Sequence, residues 1–193
     1  MQKIKTIILQ AVEVKQKILQ DPELLQNIVA VSEKLTQTFR RDGKALFCGN
    51  GGSASDAQHL AAELSGRFYL NRAPLFAEAL HVNTSFLTAV SNDYGYEAAY
   101  ARMVHAAGRP GDVLFALSTS GNSPNILRAV AAAREVGMYV VGLTGRTGGA
   151  MRDRCDCLLR VPSDDTPRIQ EAHILLGHII CELTEEAVFG EEN

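Results

Sequence analysis

The sequence predicts an α/β fold, a doubly wound five-stranded parallel sheet with two helices before it and one long helix after it. Two observations carry that prediction. Five short apolar runs, at Ala45–Cys48, Leu75–Leu80, Val113–Leu117, Tyr139–Leu143 and Cys157–Val161, alternate with stretches of helical length. Strands alternating with such helices are βαβ units, which impose a parallel sheet covered on both faces. The chain has 193 residues, enough for one full core and short for two, with no internal repeat, low-complexity tract or linker. One domain over 1–193 follows, with a helical extension at about 1–42.

In the first helix the apolar positions Ile4, Ile7, Ile8, Ala11, Val12, Ile18 and Leu19 recur at helical spacing. In the second, Asp21 is placed to cap, Pro22 suits the first helical position, and Leu24, Leu25, Ile28, Val31, Leu35 and Phe39 form the buried side. Gly43 is its expected stop. Further helices are expected at about 54–66, 84–106 with a break near Tyr94-Gly95, 123–136 and 168–188, with a shorter one near 148–154. Two long helices before the sheet and one after it offer more apolar surface than five strands can cover. Packing between subunits of an oligomer would bury the excess.

Bulk composition excludes several roles. A net charge of −3 gives no field favouring nucleic acid or an anionic membrane. No apolar run reaches the length of a membrane span. Gln10 and Glu13 interrupt the first apolar stretch, which reads as an amphipathic helix rather than a signal peptide. Cys48, Cys155, Cys157 and Cys181 form no Cys-x-x-Cys pair and sit among apolar residues, as reduced, buried thiols in the cytoplasm would.

Two loops suit a phosphorylated ligand. The first strand runs into Gly49-Asn50-Gly51-Gly52-Ser53, and the third into Ser118-Thr119-Ser120-Gly121-Asn122-Ser123, each just before a helix. Ligands of open parallel sheets bind beyond the carboxyl ends of the strands. Glycines admit a ligand close to the backbone, helix N-termini offer free N–H groups, and four hydroxyls in the second loop add donors. Either loop alone is explained equally well by turning and capping; two at equivalent strand ends favour binding. Gly49-x-Gly51-x-x-Ala54 also satisfies a dinucleotide fingerprint, with Glu78 near the ribose position. Two long helices precede that strand, however, and the hydroxyl loop has no part in the fingerprint.

His59 and Glu63 lie four apart on the helix leaving the glycine loop and share a face. Such a pair suits a metal, an acid–base couple, or an ordinary surface contact. Gln170 and His178 lie eight apart on one face of the last helix. His178, between Gly177 and Ile179, could equally be a hydrogen-bonded core histidine. His81 ends the second strand and could face the same cleft, whereas His105 and His173 read as structural. Asn92-Asp93 could bind sugar hydroxyls or simply form an Asx turn.

Taken in order, Cys48-Gly-Asn-Gly-Gly-Ser53, Asp56-Ala-Gln-His59, Glu63-Leu-Ser-Gly-Arg67, Asn92-Asp93, Ser118-Thr-Ser-Gly-Asn-Ser123 and Arg168-Ile-Gln-Glu-x-His173 resemble phosphoheptose isomerases, members of the sugar isomerase (SIS) domain superfamily. The resemblance spans nearly the whole chain. It implies a SIS-type, Rossmann-like sheet in a homotetramer with active sites between subunits. It also implies conversion of sedoheptulose 7-phosphate to glycero-manno-heptose 7-phosphate, toward the heptose of lipopolysaccharide or other surface glycans. Matching positions place Ser118, Thr119, Ser120 and Ser123 around the phosphate. Asn50, Gly51, Gly52, Ser53, Glu63, Asn92, Asp93 and Gln170 are expected along the substrate. His59, Glu63, Gln170 and His178 are expected zinc ligands, with Glu63 as base and His178 as partner acid. Thr166-Pro167 before Arg168, where some relatives carry Asp, and Val82-Asn83 after the second strand depart from the pattern.

The principal competing role is not enzymatic. A related bacterial protein of similar fold binds a replication initiator, and its members lack the glutamate and the second histidine present here as Glu63 and His178. A sugar-phosphate-sensing regulatory module would come attached to a DNA-binding domain. One geometric expectation remains. Eight residues of helix span about 12 Å, so one of Gln170 and His178 is expected to reach the metal from a neighbouring subunit.

Overall fold

The computed structural model describes residues 1–190. Its five strands are β1 (Ala45–Cys48), β2 (Ala77–Ala79), β3 (Val113–Leu117), β4 (Tyr139–Thr144) and β5 (Cys157–Arg160). All pair in parallel, in the order β2-β1-β3-β4-β5. The helices are α1 (Gln2–Leu19), α2 (Pro22–Phe39), α3 (Gly52–Ser65), α4 (Thr84–Tyr94), α5 (Tyr96–Ala107), α6 (Pro124–Val136) and α7 (Thr166–Phe189), with one 3₁₀ turn at Gly149–Met151.

β1 and β3 are buried at every position, which is why they read as continuous apolar runs. The apolar run around β2 is longer than the strand. β2 lies at the sheet edge, and its central Glu78 is exposed. The helical stretch expected at 84–106 is broken where expected: it forms two helices parted at Gly95, whose φ of +83° suits glycine. Asp21 caps α2 as expected, accepting the Leu24 N–H at 3.0 Å. That helix ends at Phe39, and the left-handed turn after it falls on Asp42 rather than Gly43.

Two apolar cores flank the sheet. One joins α1, α2, α3 and α7 to the face carrying Phe47 and Phe115, whose rings stack at 4.7 Å. The other joins α5 and α6 to the opposite face through Leu46, Leu114 and Val140. The four cysteines are free thiols. Burial raises their pKa, Cys157 to about 11 and Cys155 and Cys181 to about 12. Burial thus favours the protonated thiol at neutral pH. No helix among the described residues is long and apolar enough to cross a membrane.

The strand order positions the site. From β1 the chain steps one way to β2 and the other way to β3, β4 and β5. The reversal falls between β1 and β3, where an open sheet leaves a crevice for ligand. The glycine loop and the hydroxyl loop leave these two adjacent strands, at their carboxyl ends.

Candidate active site

α3 and α7 pack side by side. Gly177 of α7 lies against Leu60 so closely that a Cβ there would meet both Leu60 δ-carbons at 2.5 Å. This approach brings the next residue, His178, over the exposed stripe of α3. His178 Nε2 lies 3.1 Å from His59 Nε2, and His59 Nε2 lies 2.9 Å from Glu63 Oε1. One ligand atom from each of the three residues falls within 4.8 Å of the others. The Phe68 ring, 5.6 Å from that of His178, flanks the cluster.

The donor set fits a metal ion. Two imidazole nitrogens at 3.1 Å need a shared proton or a cation between them. Ligands at about 2.0–2.1 Å from a tetrahedral zinc stand about 3.3 Å apart, close to the spacing seen here. Two histidines and a carboxylate, with one position left open, are also the donors of a catalytic rather than a structural zinc.

Gln170 is not part of this cluster within the chain. Its amide lies over Gly52, where a Cβ would meet Gln170 Nε2 at 2.6 Å. It is two helical turns from His178, about 12 Å along the axis of α7. Its own chain delivers His178, which leaves Gln170 as the one of the two that a shared site would take from a neighbour. A single chain assembles three of the four expected ligands.

The hydroxyl loop is built around Ser118 and Ser123, whose Oγ atoms lie 3.0 Å apart. Ser123 thus precedes α6 without capping it; Pro124 has no N–H and the Ile126 N–H is taken by Asn125 Oδ1, which leaves the Asn125 N–H in the first turn. Ser120 Oγ accepts the Asn122 N–H at 3.2 Å from the exposed tip. Thr119 and Ser120 line a cleft of about 280 Å³ with Arg146, Ser163 and Asp164. Arg146 supplies a cation that the sequence reading missed, although its position just beyond the end of β4 was a usable signal.

In the glycine loop, Gly51 has a φ of +56° and starts α3 with Gly52 and the buried Ser53 behind it. The Asn50 side chain is engaged in the protein: it donates to Asn125 Oδ1 at 2.9 Å and accepts from Asn125 Nδ2 and the Tyr96 hydroxyl. Asn92 donates to Asp93 on the exposed last turn of α4, inside the helix rather than in a turn after it. His81 is half-buried past β2, and burial lowers its pKa. His173 is structural, as expected: it lies 3.2 Å from the Thr144 carbonyl, and burial lowers its pKa to about 4. His105 pairs with Glu135 at the surface.

Arg72 and Glu185, also missed, brace the cluster from behind. Arg72 donates to the carbonyls of Glu63 and Leu64 at the end of α3, while Glu185 of α7 accepts the N–H groups of Phe68, Tyr69 and Leu70.

Comparison with known proteins agrees with this architecture. The family model described as SIS domain matches residues 10–145. A phosphoheptose isomerase of Rhodospirillum rubrum is 60% identical over 154 residues, 80% of this chain and 82% of that protein. One from Aneurinibacillus thermoaerophilus is 50% identical over 186 residues, 96% of this chain and 94% of that protein. The solved phosphoheptose isomerase of Neisseria gonorrhoeae superposes with a TM-score of 0.90 at 44% identity, covering 96% of this chain and 98% of that one. That of Francisella tularensis gives 0.91 at 36% identity, covering 96% and 97%. With its sheet order, its two ligand loops and its sequence shared over nearly full length, the chain belongs to the phosphoheptose isomerases of the SIS domain family.

Proposed function

We propose that the protein interconverts sedoheptulose 7-phosphate and D-glycero-D-manno-heptose 7-phosphate. The observation that carries this reading is the meeting of Glu63 and His59, on the helix that leaves the glycine loop, with His178 of α7. The initiator-binding alternative has no use for that cluster.

An aldose–ketose exchange moves a proton between adjacent carbons through an enediol. In this reading Glu63 removes the proton from one carbon and returns it to the next. His178 gives a proton to the carbonyl oxygen as the enediol forms and takes one from the hydroxyl on the adjacent carbon as the enediol collapses to the new carbonyl. The phosphate, remote from the reacting carbons, is held by Ser118, Thr119, Ser120 and Ser123 at the open end of α6, with Arg146 alongside. Its binding energy aligns the other end of the sugar. Gly51, Gly52, Ser53, Asn92, Asp93 and Gln170 face the sugar hydroxyls. His59, Glu63 and His178 would hold zinc, and a second copy of the chain could present Gln170 as the fourth ligand. When bound, zinc supplies Lewis-acid polarisation of the carbonyl oxygen.

We further propose a homotetramer that buries the outward face of α1, where Ile4, Ile7, Ile8 and Val12 stand exposed. A phosphorylated substrate and four protonated thiols suit the cytoplasm, and the product suits the heptose of lipopolysaccharide or another surface glycan. The test is to incubate the purified protein with sedoheptulose 7-phosphate and follow the aldose, with and without a chelator. Absence of aldose in the metal-replete sample would refute the reading.

A further inference from the structure

The two ligand loops are joined by one pair of side chains. Asn50, in the glycine loop, and Asn125, in the first turn of α6, exchange amide hydrogen bonds in both directions, at 2.9 and 2.7 Å. Asn125 is 3% exposed and its Oδ1 also accepts the Ile126 N–H, which fixes the amide plane. On the far side of Asn50 the Tyr96 hydroxyl donates to Oδ1 at 2.9 Å, and the Tyr100 hydroxyl donates to the carbonyl of Gly49 at 2.5 Å. Asn50 stands just before α3, which carries His59 and Glu63. Asn125 stands just after the loop of Ser118, Ser120 and Ser123. The amide pair therefore ties the N-terminus of one helix to that of the other.

We propose that Asn125 is a positioning residue for the isomerisation, holding the phosphate loop and the α3 carboxylate at a fixed separation through Asn50. This rests on the reading that the hydroxyl loop takes the phosphate and Glu63 the proton. A substrate anchored at one end and reacting at the other needs a rigid span between the two. A misplacement near 1 Å at the reacting end can cost on the order of 100-fold in rate. Buried amide pairs with every partner present are rigid, because leaving one member unsatisfied is costly.

The experiment uses the metal-replete protein with Asn125→Leu, which keeps volume and removes both bonds, and Asn125→Ala, Asn50→Ala and their double variant. Turnover of sedoheptulose 7-phosphate and inhibition by inorganic phosphate are measured at a temperature where melting curves show each variant folded. For Asn125→Leu, kcat should fall by about 10-fold or more, while the inhibition constant of phosphate stays within about twofold, since the hydroxyl loop itself is intact. Adding Asn125→Ala to Asn50→Ala should cost little further, because the two act as a unit. A residue with only a structural role would lower the melting temperature and leave kcat of the folded protein unchanged, and that result would overturn the proposal. So would fully independent losses in the double variant. Phosphate that fails to compete in the wild type, with affinity unchanged in Ser120→Ala, would take down the phosphate-loop reading, and the span with it.

Discussion

Arg72 Nε donates to Glu185 Oε1 at 2.8 Å, and both side chains are 2% exposed. All three guanidinium nitrogens and both carboxylate oxygens are engaged. The guanidinium reaches the carbonyls of Glu63, Leu64, Gly66 and Ala73, and the carboxylate takes three consecutive N–H groups at 68–70. The pair thereby fixes the C-terminus of α3 and the segment after it against α7, directly behind the His59–Glu63–His178 cluster.

Removing one partner of this pair should be far more damaging than its net contribution suggests. Arg72→Met strands a buried carboxylate, and breaking such pairs typically costs about 3–5 kcal/mol. Urea denaturation should show a loss of that order. A change below about 1 kcal/mol would mean that water reaches Glu185 once Arg72 is gone.

Acid should find the same weak point. Burial alone would raise the pKa of Glu185, but the N–H groups of Leu70, Phe68 and Tyr69 and the Arg72 side chain outweigh it and hold the carboxyl below its ordinary value. A carboxyl held low in the fold stabilises it above the unfolded-chain pKa, near 4.5. That stability drains away as pH falls from there through the folded value. Glu185→Gln should be less stable than wild type at neutral pH, and the gap in urea midpoint should narrow below about pH 4.5. A constant gap down to pH 3 would exclude Glu185 as a source of the acid sensitivity.

Glu63→Gln preserves size and the helix while removing the carboxylate proposed as the base. Turnover should fall by about 10²–10⁴-fold, the usual worth of general base catalysis, with phosphate inhibition retained. Activity within a few-fold of wild type would move the base elsewhere.

Much of this was legible in the sequence because the physics is local. β1 and β3 are buried on both faces and announce themselves as apolar runs, and His59 and Glu63 share a helix face by spacing alone. The convergence of His178 was not legible from spacing, since it depends on the register of α7 against α3. The spacing of Gln170 and His178 left open which of the two a neighbouring subunit would supply. Arg72 and Glu185 stand 113 residues apart and look like ordinary surface charges until the chain is folded. Asn125 reads as one more polar residue at a helix start. Asn50, expected to face substrate, spends its side chain on Asn125 and Tyr96, a preference no local pattern encodes.

Ser120 sits at the exposed tip of the hydroxyl loop, with its Oγ accepting the Asn122 N–H. Ser120→Ala should weaken sugar-phosphate and inorganic phosphate binding together. Losing a hydrogen bond to a charged group is worth about 1.5–3 kcal/mol, a rise of roughly 10-fold or more in the inhibition constant. Part of the loss should also reach kcat, because remote binding energy aligns the reacting carbons. Equal phosphate affinity in variant and wild type would remove Ser120 from the anion site.

Gly177 is where the two helices that carry the cluster demand a glycine. A methyl group there would lie 2.5 Å from both δ-carbons of Leu60, and Leu60 is 1% exposed, so it has no open side to swing into. Gly177→Ala must therefore push α7 away from α3, at an overpacking cost of about 1–3 kcal/mol. The displacement falls on the neighbouring His178, whose Nε2 must stay near His59 Nε2 for both to share one ion. Metal sites tolerate ligand shifts of only about 0.2 Å. Zinc affinity, measured by competition with a fluorescent chelator, should drop by about 10-fold or more, and turnover should drop with it. Leu60→Val in the same chain removes the δ-carbons that block the methyl group, and it should recover part of both losses. If Gly177→Ala binds zinc as tightly as the wild type, the close approach of the two helices is not what brings His178 to the cluster.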